Sequence, residues 1–174
     1  MFRLMVVDDN PTIVALLRES MKSLKQRHSI YDVDDGAAAL DFLSRRGQYL
    51  HAPRPDLILL SMNMQHVNGL DVLCRIKADP ELRSIPAIIL SSSIRPVDVR
   101  KAYDSQANCY LQRPSDLEGT CLLVQAIKAL WMDFALIPHG ATPYRTKTRS
   151  RTEEEEEEMP AAAETAWSSP GNRQ

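Results

Sequence analysis

Three nearly continuous aliphatic runs constrain this chain more than any other feature: Phe2–Val7, Leu57–Leu60 and Ala87–Leu90. A strand with one wet face alternates apolar and polar residues. An unbroken run instead describes a strand buried on both faces, as in a parallel sheet covered by helices. Asn108–Leu111 is a shorter fourth run, and Ser29–Val33 a weaker fifth, expected nearer an edge. The intervening segments carry apolar residues at helical spacing. Asn10-Pro11 supplies a cap and a first-turn proline ahead of Ile13, Leu16, Leu17, Met21 and Leu24. Leu40 and Leu43 mark a second helix, and Leu70, Leu73 and Ile76 a third. Pro96 opens a short fourth through Val99, Ala102 and Tyr103. Ser115-Asp116-Leu117-Glu118 has the form of a capping box for a fifth, expected to run through Leu123, Ile127, Leu130, Phe134 and Ile137 until Pro138 stops it. Strand and helix alternate five times, which predicts an α/β fold: a doubly wound, five-stranded parallel sheet in three layers.

The pattern ends at Pro138, so residues 1–138 are expected to form one domain and 139–174 a disordered acidic tail. That tail holds Gly, Pro, Ser and Thr, a basic stretch (Arg145, Lys147, Arg149, Arg151) and then Glu153–Glu158. It lacks the apolar surface to offset its chain entropy. Up to Pro138 the chain carries 16 Lys+Arg and 16 Asp+Glu, and beyond it 5 and 7. Neither part has the basic excess of a nucleic-acid binder, and no stretch remains in which to build a DNA-binding output domain. No apolar run approaches the roughly 20 residues that span a membrane, and Met1-Phe2-Arg3-Leu4 lacks a signal-peptide layout. Cys74, Cys109 and Cys121 are odd in number and widely spaced, which suits buried thiols in a reducing cytoplasm. A cytoplasmic location is therefore expected.

Sites in a doubly wound sheet form at the carboxyl ends of the strands. Four polar features fall there: Asp8-Asp9, Ser61, Ser91-Ser92-Ser93 and Arg113-Pro114. Paired carboxylates suit a hard cation such as Mg2+, which takes oxygen ligands and keeps several waters. A hydroxyl and a cation nearby suit a phosphoryl group. The plainer reading makes Asp8 and Asp9 loop carboxylates favoured by a helix N-terminus. His28, His51, His66 and His139 have no metal-ligand spacing. No G-x-S-x-G elbow surrounds the serines, and six glycines leave little room for a phosphate loop.

Leu4-Met5-Val6-Val7-Asp8-Asp9-Asn10, Pro55-Asp56-Leu57-Ile58-Leu59-Leu60, Asn68-Gly69-Leu70, Ile88-Ile89-Leu90-Ser91 and Tyr110-Leu111-Gln112-Arg113-Pro114 occur in the order of the signatures of CheY-like receiver domains. Over roughly residues 1–137 the chain resembles that response-regulator family, with its flavodoxin-like sandwich. Asp79-Pro80-Glu81-Leu82-Arg83, Asn108-Cys109-Tyr110-Leu111 and the long connection Arg46–Pro55 are similar to the small stand-alone regulators of phytochrome-type histidine kinases. The resemblance implies bacterial two-component, phosphorelay signalling with a histidine kinase partner. It implies Asp8 and Asp9 as metal-binding acids, and the backbone carbonyl of Asn63 as a further ligand. It also implies Ser91 as the residue that senses the phosphoryl group, and Tyr110 as the aromatic switch.

Two departures outweigh these matches. The acceptor aspartate should lie eight residues before Gly69, where the chain has Ser61, and the lysine expected before Pro114 is Arg113. Gln65 also replaces the proline usual after Met64. The family's acceptor is a carboxylate that attacks phosphohistidine to give an acyl phosphate. Serine offers a neutral hydroxyl, removes one charge from the Mg2+ site and needs a base. Arginine keeps the positive charge but replaces a compact ammonium with a planar fork of different reach. Both changes predict a pseudo-receiver, with Mg2+ binding weak at most. The alternative is that either change is neutral drift or an introduced substitution.

In the last helix, Leu123, Ile127, Leu130, Phe134 and Ile137 form one apolar stripe, and Trp131, Met132 and Leu136 add apolar surface outside it. A sheet-covering helix needs one stripe, so those three are expected in an interface, most simply of a homodimer completed by the fourth helix and fifth strand. The expected function is thus a non-enzymatic receiver acting through its surface. Two rivals stand beside it: a regulator modified at Ser61 or nearby by another kinase, and a flavodoxin-like small-molecule binder.

Overall fold

The computed structural model describes residues 1–138. The expected tail, residues 139–174, and His139 with it, lies outside the described residues. The element order is β1 (Phe2–Val7), α1 (Pro11–Lys22), β2 (His28–Val33), α2 (Gly36–Leu43), β3 (Leu57–Ser61), α3 (Gly69–Ala78), β4 (Ala87–Ser91), α4 (Pro96–Asp104), β5 (Cys109–Gln112) and α5 (Leu117–Ile127), with a 3-10 turn at Gly47–Tyr49. All strand pairs are parallel, in the order β2-β1-β3-β4-β5. The weak second strand is therefore at an edge, as expected. The strand order reverses between β1 and β3, the point at which open α/β sheets place their crevice.

The aliphatic runs divide their side chains between two cores. Met5, Val7, Ile58, Leu60 and Ile89 pack with Phe42, Val72 and Ile76 of α2 and α3 on one face. Leu4, Val6, Leu57, Leu59 and Ile88 pack with Leu17 and Met21 of α1 and Val124 and Ile127 of α5 on the other. This is the physical content of an unbroken run: with the side-chain period of two, every residue meets a helix layer.

Several expectations need correction. Asn108 precedes β5 instead of starting it; its side-chain oxygen accepts from the Ala87 N–H at 2.9 Å and Lys77 Nζ at 3.1 Å. The cap of α5 is Asp116 rather than Ser115, with its carboxylate accepting from the Gly119 N–H at 2.7 Å. All three cysteines are free thiols, but Cys74 is exposed and Cys109 and Cys121 only half-buried.

The largest correction concerns the end of the last helix. Lys128–Phe134 is a π-helical segment, and Ala135 leaves it in extended conformation, so the helix stops short of Ile137. The Ala135 N–H donates to the Leu130 carbonyl, five residues back, at 2.8 Å. Bonds of that span widen the turn. The residues that follow beneath Ile127 are then Trp131 and Met132, which pack on the β1–α1–α5 core, while Leu130 and Phe134 are turned out, 54% and 79% exposed. Trp131 and Met132 thus belong to the intramolecular face from which the period-3.6 stripe excluded them. Leu136 stays outside, 82% exposed. Asp133 pins the segment, accepting from Lys128 Nζ at 2.6 Å and from the Gln26 amide that follows α1.

Candidate functional site

The carboxyl ends of β1, β3, β4 and β5 bring Asp8, Ser61, Ser91 and Arg113 into one crevice. Asp8 follows β1 and is almost wholly buried. Its Oδ1 accepts the Asn10 N–H at 2.9 Å, and its Oδ2 accepts from Arg113 Nη2 at 2.5 Å. Burial pushes the Asp8 carboxyl above the usual carboxylate range. The Asn10 N–H and the Arg113 guanidinium pull the other way without overcoming it, and Asp9 adds to the rise. Asp9 stands half-buried at the mouth.

Ser61 ends β3 and is 2% exposed. Its Oγ accepts from Arg113 Nη2 at 2.7 Å and donates to the Asn63 carbonyl at 3.3 Å. One terminal nitrogen of Arg113 therefore holds both the first-strand carboxylate and the third-strand hydroxyl. The Arg113 backbone N–H donates to the Ser91 carbonyl at 2.8 Å, which fixes the guanidinium's point of origin. The Arg113 Nε is buried with no partner, so the fork is engaged through a single arm.

Ser91 lies at the end of β4 with its Oγ accepting the Ser93 N–H at 3.1 Å. Tyr110, on β5, donates its hydroxyl to the Ser93 carbonyl at 2.8 Å, with Met62 Sδ at 3.7 Å. The sequence reading missed what continues from there. Ser93 Oγ donates to the buried Asp98 at 2.5 Å, and Arg95 clamps the same carboxylate through Nε at 2.8 Å and Nη2 at 3.0 Å. The bonds from Arg95, then Ser93, hold the Asp98 carboxyl below its usual range. The Arg95–Asp98 spacing of i, i+3 at the start of α4 was the available signal.

A divalent ion is the group that a pair of acids at this strand end would ordinarily take. Asp8 Oδ2 is held by Arg113 and the Asn63 carbonyl by Ser61, and no third carboxylate is supplied by β3. Among the described residues no group of three or more His, Cys, Asp or Glu side chains is placed to hold a metal. The residues do not fit Mg2+ well. Beside the crevice, a cavity of about 650 Å³ is lined in part by Asp8, Asp9, Asp32, Asp34, Arg18 and Tyr49. A nucleotide phosphate there would face four carboxylates with one arginine, itself paired with Asp32.

A parallel sheet of this order with an acidic pair, a serine and a cation at its carboxyl edge defines a receiver domain. The match to the response regulator receiver domain family spans residues 4–127, and the chain belongs to that family. It is similar to the response regulator Rcp1 of Synechocystis sp., at 34% identity over 135 residues, covering 78% of this chain and 92% of the relative. The solved structure of Rcp1 in its Mn2+-bound form superposes with a TM-score of 0.75 at 33% identity, over 79% of this chain and 99% of that one. The phosphorylated cyanobacterial phytochrome response regulator RcpA superposes with a TM-score of 0.76 at 35% identity, over 79% and 98%. The chain thus carries a response regulator receiver domain of two-component signalling, similar to that of a cyanobacterial phytochrome response regulator. The Rcp1 structure holds Mn2+. Among the described residues no helix is long and apolar enough to cross a membrane.

Proposed function

We propose that this chain is a pseudo-receiver: a cytoplasmic, non-enzymatic partner of a histidine kinase, possessing the receiver surface but taking no aspartyl phosphate. One observation carries the reading. Ser61, the residue that the resemblance aligns with the acceptor, has its hydroxyl proton directed to the Asn63 carbonyl and its lone pair to Arg113. No base receives that proton, because Asp8 bonds to Arg113 and Asn10 instead. The similarity to a phytochrome response regulator supports a phytochrome-type kinase as the partner.

Tyr110, Ser93, Asp98 and Arg95 join β5 to the start of α4 through an unbroken run of protein hydrogen bonds. This supports a fixed binding face and a constitutive or competitive binder. A homodimer through the last helix region and α4 would draw on Phe134 and Leu136 together with Val97 and Tyr103, all of which are exposed. The near-complete burial of Ser61 weighs against its modification by a separate serine kinase. The acidic lining of the neighbouring cavity weighs against a flavin-like ligand.

Incubation with a phosphorylated histidine kinase, and with acetyl phosphate plus Mg2+, should leave the intact mass unchanged. Ser61→Asp should give a base-labile adduct, and adding Arg113→Lys should increase it. A wild type that gains one phosphoryl group at Ser61 would overturn the reading.

A further inference from the structure

We propose that Arg113 is the resident cation of this site: its guanidinium stands in for the divalent ion and joins the ends of β1, β3 and β5 without metal. The inference rests on the pseudo-receiver reading but goes beyond it, since loss of a phosphoacceptor does not by itself require loss of metal binding.

The geometry is specific. Arg113 Nη2 lies 2.5 Å from Asp8 Oδ2 and 2.7 Å from Ser61 Oγ, so one positively charged nitrogen occupies the point between the first and third strands. Ser61 then donates to the Asn63 carbonyl at 3.3 Å. The chain Asp8–Arg113–Ser61–Asn63 thereby engages the oxygens from both strand ends that a hard ion would claim. The pair is largely shielded, with side-chain exposures of 18% for Arg113 and 1% for Asp8. A charge contact in such surroundings is screened far less than one at the surface. The two sequence departures are complementary. An aspartate at position 61 would add a second carboxylate to the guanidinium, whereas serine accepts from it as a neutral group. A lysine at 113 would place a compact, rotatable ammonium there instead of a fork. To bind, Mg2+ would have to displace a cation that is tethered to β5 and therefore always present. A weakly populated metal site is the consequence, with Asp9 left as the least engaged of the acids at the mouth.

The test is Mn2+ binding by the full chain, followed by the resonance of free Mn2+, with thermal midpoints in parallel. The Glu153–Glu158 run offers its own carboxylates, so only the binding that Asp8→Asn removes is counted. Wild type should show no Asp8-dependent binding at millimolar Mn2+ and no midpoint shift attributable to it. Arg113→Met removes the charge and keeps the aliphatic stem. It should melt lower than wild type without metal, gain Asp8-dependent Mn2+ affinity of about tenfold or more, and recover part of its midpoint when Mn2+ is added. Should that variant fail to fold, Arg113→Lys is read by the same gain. Asp8-dependent binding in wild type, or no gain in the folded Arg113 variant, would overturn the proposal. The two ideas separate cleanly. A wild type that binds Mn2+ through Asp8 but takes no phosphate removes the resident cation and leaves the pseudo-receiver. A wild type that takes phosphate without binding Mn2+ through Asp8 does the reverse.

Discussion

Gly69 lies directly against Ser61: a Cβ built on Gly69 would fall 2.0 Å from the Ser61 carbonyl oxygen and 3.1 Å from the Met62 Cα. The Gly69 N–H also donates to the Met62 carbonyl at 3.0 Å. The first residue of α3 therefore sets the path of the chain just after Ser61. Both obstructing groups are backbone and cannot swing away, so Gly69→Ala must push α3 off β3. Overpacking of this kind should cost about 3 kcal/mol in urea unfolding. A loss below about 0.5 kcal/mol, the scale of an ordinary surface change, would show that the loop yields freely.

Trp131 packs on the core formed by β1, α1 and α5, whereas Phe134 stands in solvent. Trp131→Ala should therefore lower the stability of the single molecule by about 2 kcal/mol, somewhat less than a fully buried aromatic. Phe134→Ala should stay within about 0.5 kcal/mol. If the homodimer forms, Phe134→Asp with Leu136→Asp should shift the light-scattering mass towards monomer without lowering the stability of that monomer. The reverse ranking, with Trp131→Ala neutral for stability, would restore the simple helical stripe.

Asp133 fastens the π-helical segment, and the Lys128 ammonium, helped by the Gln26 amide, holds its carboxyl below the ordinary 3.8 against desolvation, which pushes it up. A depressed folded value contributes stability above the unfolded value that is lost as pH falls through the folded one. Asp133→Asn should thus cost about 0.5–1 kcal/mol at pH 7, the scale of a partly exposed ion pair. The difference from wild type should shrink as pH drops below about 3.8. A penalty that persists unchanged into acid would assign the role to shape rather than charge.

Asp56 is fully buried and accepts from the Arg3 N–H at 2.8 Å, Arg3 Nε at 3.2 Å and Arg3 Nη2 at 3.0 Å. It ties the start of β1 to the entry of β3, at the opposite edge from the crevice. Asp56→Ala should cost about 3 kcal/mol, as expected when one member of a buried ion pair is removed. It should leave kinase binding by the folded protein unchanged. Loss of binding at temperatures where the variant is folded would place Asp56 in the functional surface.

The local signals were strong wherever one kind of residue had to satisfy two neighbours at once. Unbroken aliphatic runs such as Leu57–Leu60 can only lie between two apolar layers, so the five strands and their parallel pairing were legible in the sequence. Polar residues at the run ends, Asp8, Ser61, Ser91 and Arg113, marked the crevice because the two apolar helix layers end there and these groups can bond to one another instead. The amino-acid sequence by itself also determined that no carboxylate stands at position 61.

Only the tertiary structure decided what that absence does. A list of residues along the chain cannot say that Arg113, 105 positions from Asp8, reaches both Asp8 and Ser61 with one nitrogen. Nor can it say which face of the last helix is covered. Met132 turns inward and Phe134 outward with the π-helical pitch from Lys128, whereas Trp131, four residues beyond Ile127, stays on the buried face of α5. The period of a helix is a local property as long as its own backbone bonds set it. Here the pitch widens after Ile127, and a stripe continued at 3.6 residues per turn placed Phe134 inward and Met132 outward, the reverse of what is found.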